Sequence, residues 1–539
     1  KYPVFNVNKI YLDAYQLQST PSGPRYPSVN VAINDAVANG CIILNYTGHG
    51  GEDAWSEEKI LTIPDIDSWT NADKLPVFIT ATCEFSRYDN PERFSAGEMV
   101  IVKPKAGAIA IYTTTRLALA SSNFKLDTSF FRNLMNRDED GNYMTMGDLL
   151  RISKNNNNNN TNIRNFVLLG DPAQSIAFPE YQVVTTEINS KPVNVNPDTL
   201  LGLSVVSVAG EIRDQDGNKA SGFNGTLNAK VFDKPVTYRT LANQNKSYKE
   251  YFLIQNELLS DGPASIQNGE FSFSFIVPQE ISPNFGFGKI SYYACSETSD
   301  GNGFDDNVVI GGHDPSVNPE NQGPDISLYL DSKNFVSGQQ VSKNPLLMVD
   351  LYDEDGINHV GLGLGHEILA AIDGNWSHGM VLNPYYTPGM NDFQQGTVLY
   401  PYADLSIGKH TLTVRAWDMF DNSSERSIDF YVFEIPSIQV TEVYTYPNPL
   451  IDGTTFTFRP DTGSGRMGVA IEIYSMTGQP VRVLDVPVFD NTGQPIQVYW
   501  DGSGQNGVKL SSGIYPYSVK FKGTNGSFAT TSGKVIILR

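Results

Sequence analysis

The 539-residue chain reads as a multidomain protein: one α/β domain over residues 1–178, then three β-sandwich modules. Three observations predict this. Apolar runs alternate with helix-like segments only in the first third of the chain. Beyond about residue 180 helical periodicity nearly vanishes, and short alternating segments are separated by turn dipeptides such as Asp216-Gly217, Asp355-Gly356 and Asp373-Gly374. The composition, with Gly 47, Pro 31, Tyr 27 and Phe 28, suits many strands and turns. The length itself allows about three to five domains.

In the first domain, Cys41–Tyr46, Val77–Ala81 and Ala108–Tyr112 are short, continuously apolar runs. They have the character of strands buried on both faces of a parallel sheet. Helices are expected over Val29–Val37, Ser95–Val102 and Asp127–Met135, the last with Asp127 as its cap. Asn155–Asn160 is an asparagine run and reads as a loop. Phe166–Pro172 reads as a last strand and turn. The three β-sandwich (Ig-like) modules fall at 179–318, 319–435 and 436–539, with a Pro/Asn/Gly linker at Pro315–Pro324. Val469–Ile473 and Tyr515–Phe521 alternate in the last module, where Pro516 predicts an edge strand.

A net charge of -21 argues against nucleic acid and against direct binding to an anionic membrane surface. It fits a secreted or surface protein, and equally a charge that serves only solubility. No run of about 20 apolar residues is present, and no signal peptide. Lys1 opens in mid-pattern, so a processed or partial chain is expected.

Three cysteines cannot form a disulfide framework. Cys41 and Cys295 lie in apolar runs and read as buried small hydrophobes. Cys83 sits in a polar segment, Ile79-Thr80-Ala81-Thr82-Cys83-Glu84. A glycine-bracketed histidine occurs in Asn45-Tyr46-Thr47-Gly48-His49-Gly50-Gly51. The 34 residues from His49 to Cys83 leave room for a helix and a return strand. Both would then stand at the carboxyl ends of neighbouring parallel strands, where open α/β sheets place their sites. A thiol has a reference pKa of about 8.5, so a nucleophilic cysteine needs an imidazole beside it. Backbone N–H groups of Gly50 and Cys83 are placed to bind an oxyanion. Spacing alone leaves both a buried cysteine and a nucleophile open.

The run Gly48-His49-Gly50-Gly51-Glu52-Asp53-Ala54-Trp55, followed by Thr80-Ala81-Thr82-Cys83, resembles the gingipain (C25, caspase-like) peptidases. Gly107–Ala110 and Leu169-Gly170-Asp171-Pro172 resemble that family's later strand and closing motif. The resemblance covers residues 1–178. It implies a partial caspase-like domain with His49 and Cys83 as the catalytic dyad and Gly50 and Cys83 as oxyanion donors. It also implies Trp55 in the substrate cleft, against a packing role beneath the loop. Glu84 either contacts substrate or caps a turn. The family's third, acidic group is expected before Lys1. The dyad is expected either paired or latent.

Tyr446-Pro447-Asn448-Pro449, Ile473–Gly478, Trp500-Asp501-Gly502, Ser512–Tyr515 and Gly533–Leu538 resemble the C-terminal signal domain of type IX secretion substrates. With two modules between it and the peptidase domain, the layout resembles the family's sortase branch. That implies removal of signal domains from cargo and attachment of the cargo to anionic lipopolysaccharide via a thioester. It further implies the cell-surface side of the bacterial outer membrane, with a PorV-like barrel shuttle bound through the last module. The alternatives are a secreted gingipain-type endopeptidase and a non-enzymatic adhesion protein with a relic protease domain.

No cofactor and no metal ligand set is expected. His313, His359, His366, His378 and His410 read as surface or packing histidines. Structural calcium is an expectation only for the acidic loops Asp214–Gly217, Asp300–Asp306 and Asp353–Gly356, which turn chemistry also explains.

Overall fold

A computed structural model describes residues 2–157, 161–193, 198–244, 247–317, 321–433, 440–460, 466–490, 494–523 and 528–539. The chain is mostly β, 45% strand against 12% helix, in several sheets and a barrel. Among the described residues no helix is long and apolar enough to cross a membrane.

The first sheet has four strands in chain order: β1 (Ile43–Thr47), β2 (Val77–Ala81), β3 (Ala110–Thr114) and β4 (Phe166–Leu169). The first three run parallel and β4 is antiparallel to β3. Every residue of β2 and β3 is buried, as their unbroken apolar character predicts. β1 begins two residues later than the run at Cys41 and is only half-buried, because it forms the sheet edge.

Helix α1 (Pro27–Asn39) starts on a proline and stops before Gly40, whose φ of 90° ends it. Its Val29, Ile33 and Val37 recur every four residues and are buried on one face. Helix α2 (Ala96–Val102) begins with a capping box between Ser95 and Glu98. Helix α3 (Ala120–Asn133) starts seven residues before the predicted cap, so Asp127 lies mid-helix. Helix α4 (Met146–Asn155) was not anticipated. Thr145 caps it by accepting from Asp148 N, and the helix takes up the first asparagine of the 155–160 run. Residues 158–160 lie outside the described residues.

The 179–318 segment corrects the sandwich expectation. Its strands are β5 (Tyr181–Ile188), β6 (Val205–Arg213), β7 (Gly225–Phe232), β8 (Leu258–Gln267), β9 (Glu270–Ile276), β10 (Lys289–Cys295) and β11 (Asp300–Asp305). They pair in the order β5-β6-β9-β8-β7-β10-β11, and β11 closes back on β5 in parallel. Closure removes both sheet edges and encloses one core, including Val208, Leu227, Phe275 and Ile290. Gly303 permits the closing contact: a Cβ there would lie 1.9 Å from the Val183 carbonyl oxygen. The acidic stretch at 300–305 is therefore a strand and not a cation loop. Alternation along a strand is the same in a barrel and a sandwich, so the sequence pattern does not separate them.

Residues 325–432 form a four-stranded and a five-stranded sheet around a shared core that includes Leu347, Val349, Leu412, Val414 and Phe430. Residues 440–537 form a three-stranded and a four-stranded sheet around Phe456, Ile471, Trp500, Val519 and Val535. The predicted third-module start at residue 436 lies outside the described residues. Strand Gly513–Gly523 is central, not an edge. Pro516 is tolerated because its rungs to the neighbour Arg466–Tyr474 end at Tyr517. Cys41 and Cys295 are half-buried rather than fully buried, and burial raises the Cys41 thiol above its ordinary value.

Candidate active site

β1 and β2 pair in parallel with Ile43 opposite Val77 and Thr47 opposite Ala81. That register brings the His49 and Cys83 turns to the same end of the sheet, as the spacing predicts. The two turns touch. Gly48 N donates to Ala81 O (3.5 Å), and Gly50 sits directly on Thr82. A Cβ at Gly50 would lie 2.5 Å from Thr82 Oγ1, and Thr82 is fully buried. Only glycine permits this approach.

The His49 turn is pinned from both sides. Its carbonyl accepts from Ser56 N (2.7 Å) and from the Tyr46 hydroxyl (2.6 Å). Burial, then the charge of Glu58, pushes the Tyr46 phenol well above its ordinary range, so it stays a donor. Trp55 stacks on Tyr46 at 4.3 Å with an 8° interplanar angle and is 1% exposed. This corrects its placement in a substrate cleft: Trp55 packs beneath the turn.

The Cys83 turn lies alongside the extension of β3. Ser86 N donates to Thr114 O (3.1 Å), and Glu84 N to Arg116 O (3.3 Å). The thiol continues this ladder. Cys83 Sγ donates to Ala118 O (3.4 Å) and accepts from Ala118 N (3.3 Å). Asn165 and Asn162 brace that segment through Leu117 O (2.8 Å) and Leu119 N (3.0 Å). Glu84 takes a φ of 50°, a left-handed conformation that costs a side chain of order 1–3 kcal/mol. Glu84 pairs with Arg87 at 3.7 Å.

Among the described residues no hydrogen bond joins the His49 ring to Cys83. Nor does the N–H of Gly50 or of Cys83 meet a protein acceptor there, so both remain available to an oxyanion. His49 is exposed and Cys83 half-buried.

Two features escaped sequence reasoning. Glu52, in the His49 loop, accepts from Arg87 Nη1 (3.0 Å) and Asn90 Nδ2 (3.0 Å) in the Cys83 loop. This clasp spans 35 residues of sequence, and no local pattern announces it. The second is Glu58. Its carboxyl sits below the ordinary range: burial pushes it up, and this is outweighed by hydrogen bonds from Ser56 and Gln244 (3.0 Å) and by the charge of His49. Glu58 is thus an acidic group nine residues after His49 in the chain.

Asp127 of α3 lies under β1. Its Oδ2 accepts from Asn45 Nδ2 (3.3 Å), and its buried Oδ1 has no hydrogen-bond partner. Burial pushes this carboxyl up to about 6, only partly offset by Asn45. The folded state therefore holds its proton more tightly than the unfolded chain. This contribution to stability is fully present below pH ~4 and is lost as pH rises through about 6. Asp127→Asn should stabilise the protein at pH 7.5 by about 2–3 kcal/mol and have little effect at pH 4. Thermal melts of both proteins at the two pH values check this; equal shifts at both would contradict it.

Of the acidic loops, Asp214 closes a turn by accepting from Asp216 N (3.0 Å) and Asn218 N (2.8 Å). Asp353 and Asp355 converge with the buried Asp418, with carboxylate oxygens within 4.8 Å of one another. His313 bonds Gln279 O, His359 is half-buried and stacks on Tyr386, and His410 pairs with Asp373 (2.8 Å).

Residues 1–177 match the family model of peptidase family C25. No curated protein matches the sequence. Among solved structures, the chain is similar to dimeric latent PorU from Porphyromonas gingivalis, with 28% identity and a TM-score of 0.35. That match covers 80% of this chain and 41% of PorU, so the chain spans less than half the length of that relative. It is also similar to the Arg-specific cysteine proteinase gingipain R, with 15% identity and a TM-score of 0.25, over 51% of this chain and 56% of that one. The assignment rests on the family match together with the motifs around His49 and Cys83. Residues 1–177 match peptidase family C25, and the chain is a PorU- and gingipain-like protein.

Proposed function

We propose that the chain supplies the nucleophile and base of a cysteine transpeptidase, a sortase that removes C-terminal signal domains from type IX secretion cargo. Its α/β part is then the C-terminal portion of a caspase-like domain, and the two-sheet segments are Ig-like modules. The carrying observation is the seating of Gly50 on Thr82, which brings the His49 and Cys83 turns together.

In this reading the Cys83 thiol leaves Ala118 and passes its proton to His49. The thiolate attacks the cargo carbonyl, and the N–H groups of Gly50 and Cys83 stabilise the oxyanion. His49 returns the proton to the departing amine of the signal domain, leaving a thioester at Cys83. An amine on anionic lipopolysaccharide then attacks the thioester and frees the thiol. The reaction would take place on the outer-membrane surface. The last module, with its signal-domain motifs, would hold the enzyme on a PorV-like barrel.

The test is to incubate the full-length protein with a cargo and a primary amine. We expect the amine-coupled product to exceed the hydrolysis product when amine is abundant. Hydrolysis alone under those conditions would leave a gingipain-type endopeptidase in its place.

A further inference from the structure

Glu280 lies in the loop between barrel strands β9 and β10, whereas His366 and Asp421 belong to the segment after the barrel. One ligand atom from each of the three lies within 4.8 Å of the others. His366 Nδ1 stands 3.3 Å from Asp421 Oδ1 and 3.9 Å from Glu280 Oε1. That nitrogen is buried and has no hydrogen-bond partner, although the ring is fixed by stacking on Trp417 at 4.0 Å. A buried ring nitrogen without a partner is costly unless something occupies its lone pair.

The space in front of it is kept clear. Gly363 has a φ of 99°, and a Cβ there would lie 2.3 Å from His366 Nδ1 and 2.3 Å from Glu280 Oε2. Any side chain at this position would collide with both groups. Gln279 Nε2 binds Asp421 Oδ2 (3.0 Å), which turns Oδ1 inward, an outer hydrogen bond of the kind that orients metal ligands.

We propose that Glu280, His366 and Asp421 form a divalent-cation site of the zinc class that ties the barrel to the segment following it. A neutral imidazole and two carboxylates match that ion, whereas calcium prefers oxygen ligands alone. Ligands about 2.1 Å from a tetrahedral ion stand roughly 3.4 Å apart, close to the two separations here. The Glu280 side chain is 38% exposed, so it can close the remaining gap and solvent can fill the fourth position. The bond would join segments that already meet through Gln279 N and Met419 O (3.0 Å).

The test uses the full chain carrying Cys83→Ala, so that the thiol takes up no metal. The chelator-treated protein is titrated with zinc chloride, and in parallel with calcium chloride, by calorimetry and thermal melting. We expect one saturable zinc and a rise in Tm. We expect zinc affinity to fall about 10-fold or more in His366→Gln and in Glu280→Gln, the second a part-exposed position where folding is not at stake. Zinc uptake unchanged in both variants, no uptake at all, or calcium bound as tightly as zinc would overturn the proposal. A protonated His366 paired only with Asp421 corresponds to the second of these results.

Discussion

Cys83→Ala is expected to abolish cargo processing, with a rate loss of at least ~10³-fold and little change in stability. The thiol is half-buried and its polar contacts are two long bonds to Ala118. Removing it therefore costs the fold little and the chemistry its nucleophile. Rates on a cargo substrate, measured with thermal melts of the same preparation, check both halves. Unchanged processing would remove every enzymatic reading and favour a non-enzymatic surface protein with a relic protease segment.

Gly50→Ala should be nearly as damaging for a different reason. The added methyl would meet Thr82 Oγ1 at 2.5 Å and Ala54 O at 3.2 Å. Thr82 is fully buried, and its carbonyl is held by the Thr114 hydroxyl, so it cannot retreat. The His49 turn must move instead, which displaces both the imidazole and the Gly50 N–H. Loss of one oxyanion donor alone is worth about 10²–10³ in kcat. Gly51→Ala is the control: no atom lies within 4 Å of a Cβ there, so its rate should stay near that of the parent. Equal rates for the two alanine variants would contradict the packing argument.

The parts of this site that depend on local chemistry were legible in the sequence. A strand ending in Gly-His-Gly-Gly and another ending in Thr-Cys are local patterns, and parallel pairing then places them side by side. Ser95 and Glu98 likewise announced a helix start. Legibility failed where the third dimension decides. Asp127 looked like a cap because the helix start at Ala120 carries no side-chain cap. Trp55 could be read either into the substrate cleft or beneath the loop, and its ring finds Tyr46 across the turn. Glu52 and Glu58 acquire their roles from Arg87, Asn90 and Gln244, partners distant in sequence. Barrel closure rests on the pairing of β11 with β5, more than a hundred residues apart, which alternation does not encode. The Ala118 contact was invisible for the same reason, and it matters for mechanism: the thiol is aimed at a carbonyl.

The central claim is that Cys83 is a nucleophile activated by His49. The most direct measurement is intact mass of the full-length protein after incubation with a peptide acylating probe, followed by peptide mapping. The account predicts a single acyl adduct on Cys83, lost in Cys83→Ala, strongly slowed in His49→Ala and discharged by added amine. Labelling spread equally over Cys41, Cys83 and Cys295, or a Cys83 adduct formed at the same rate without His49, would contradict it.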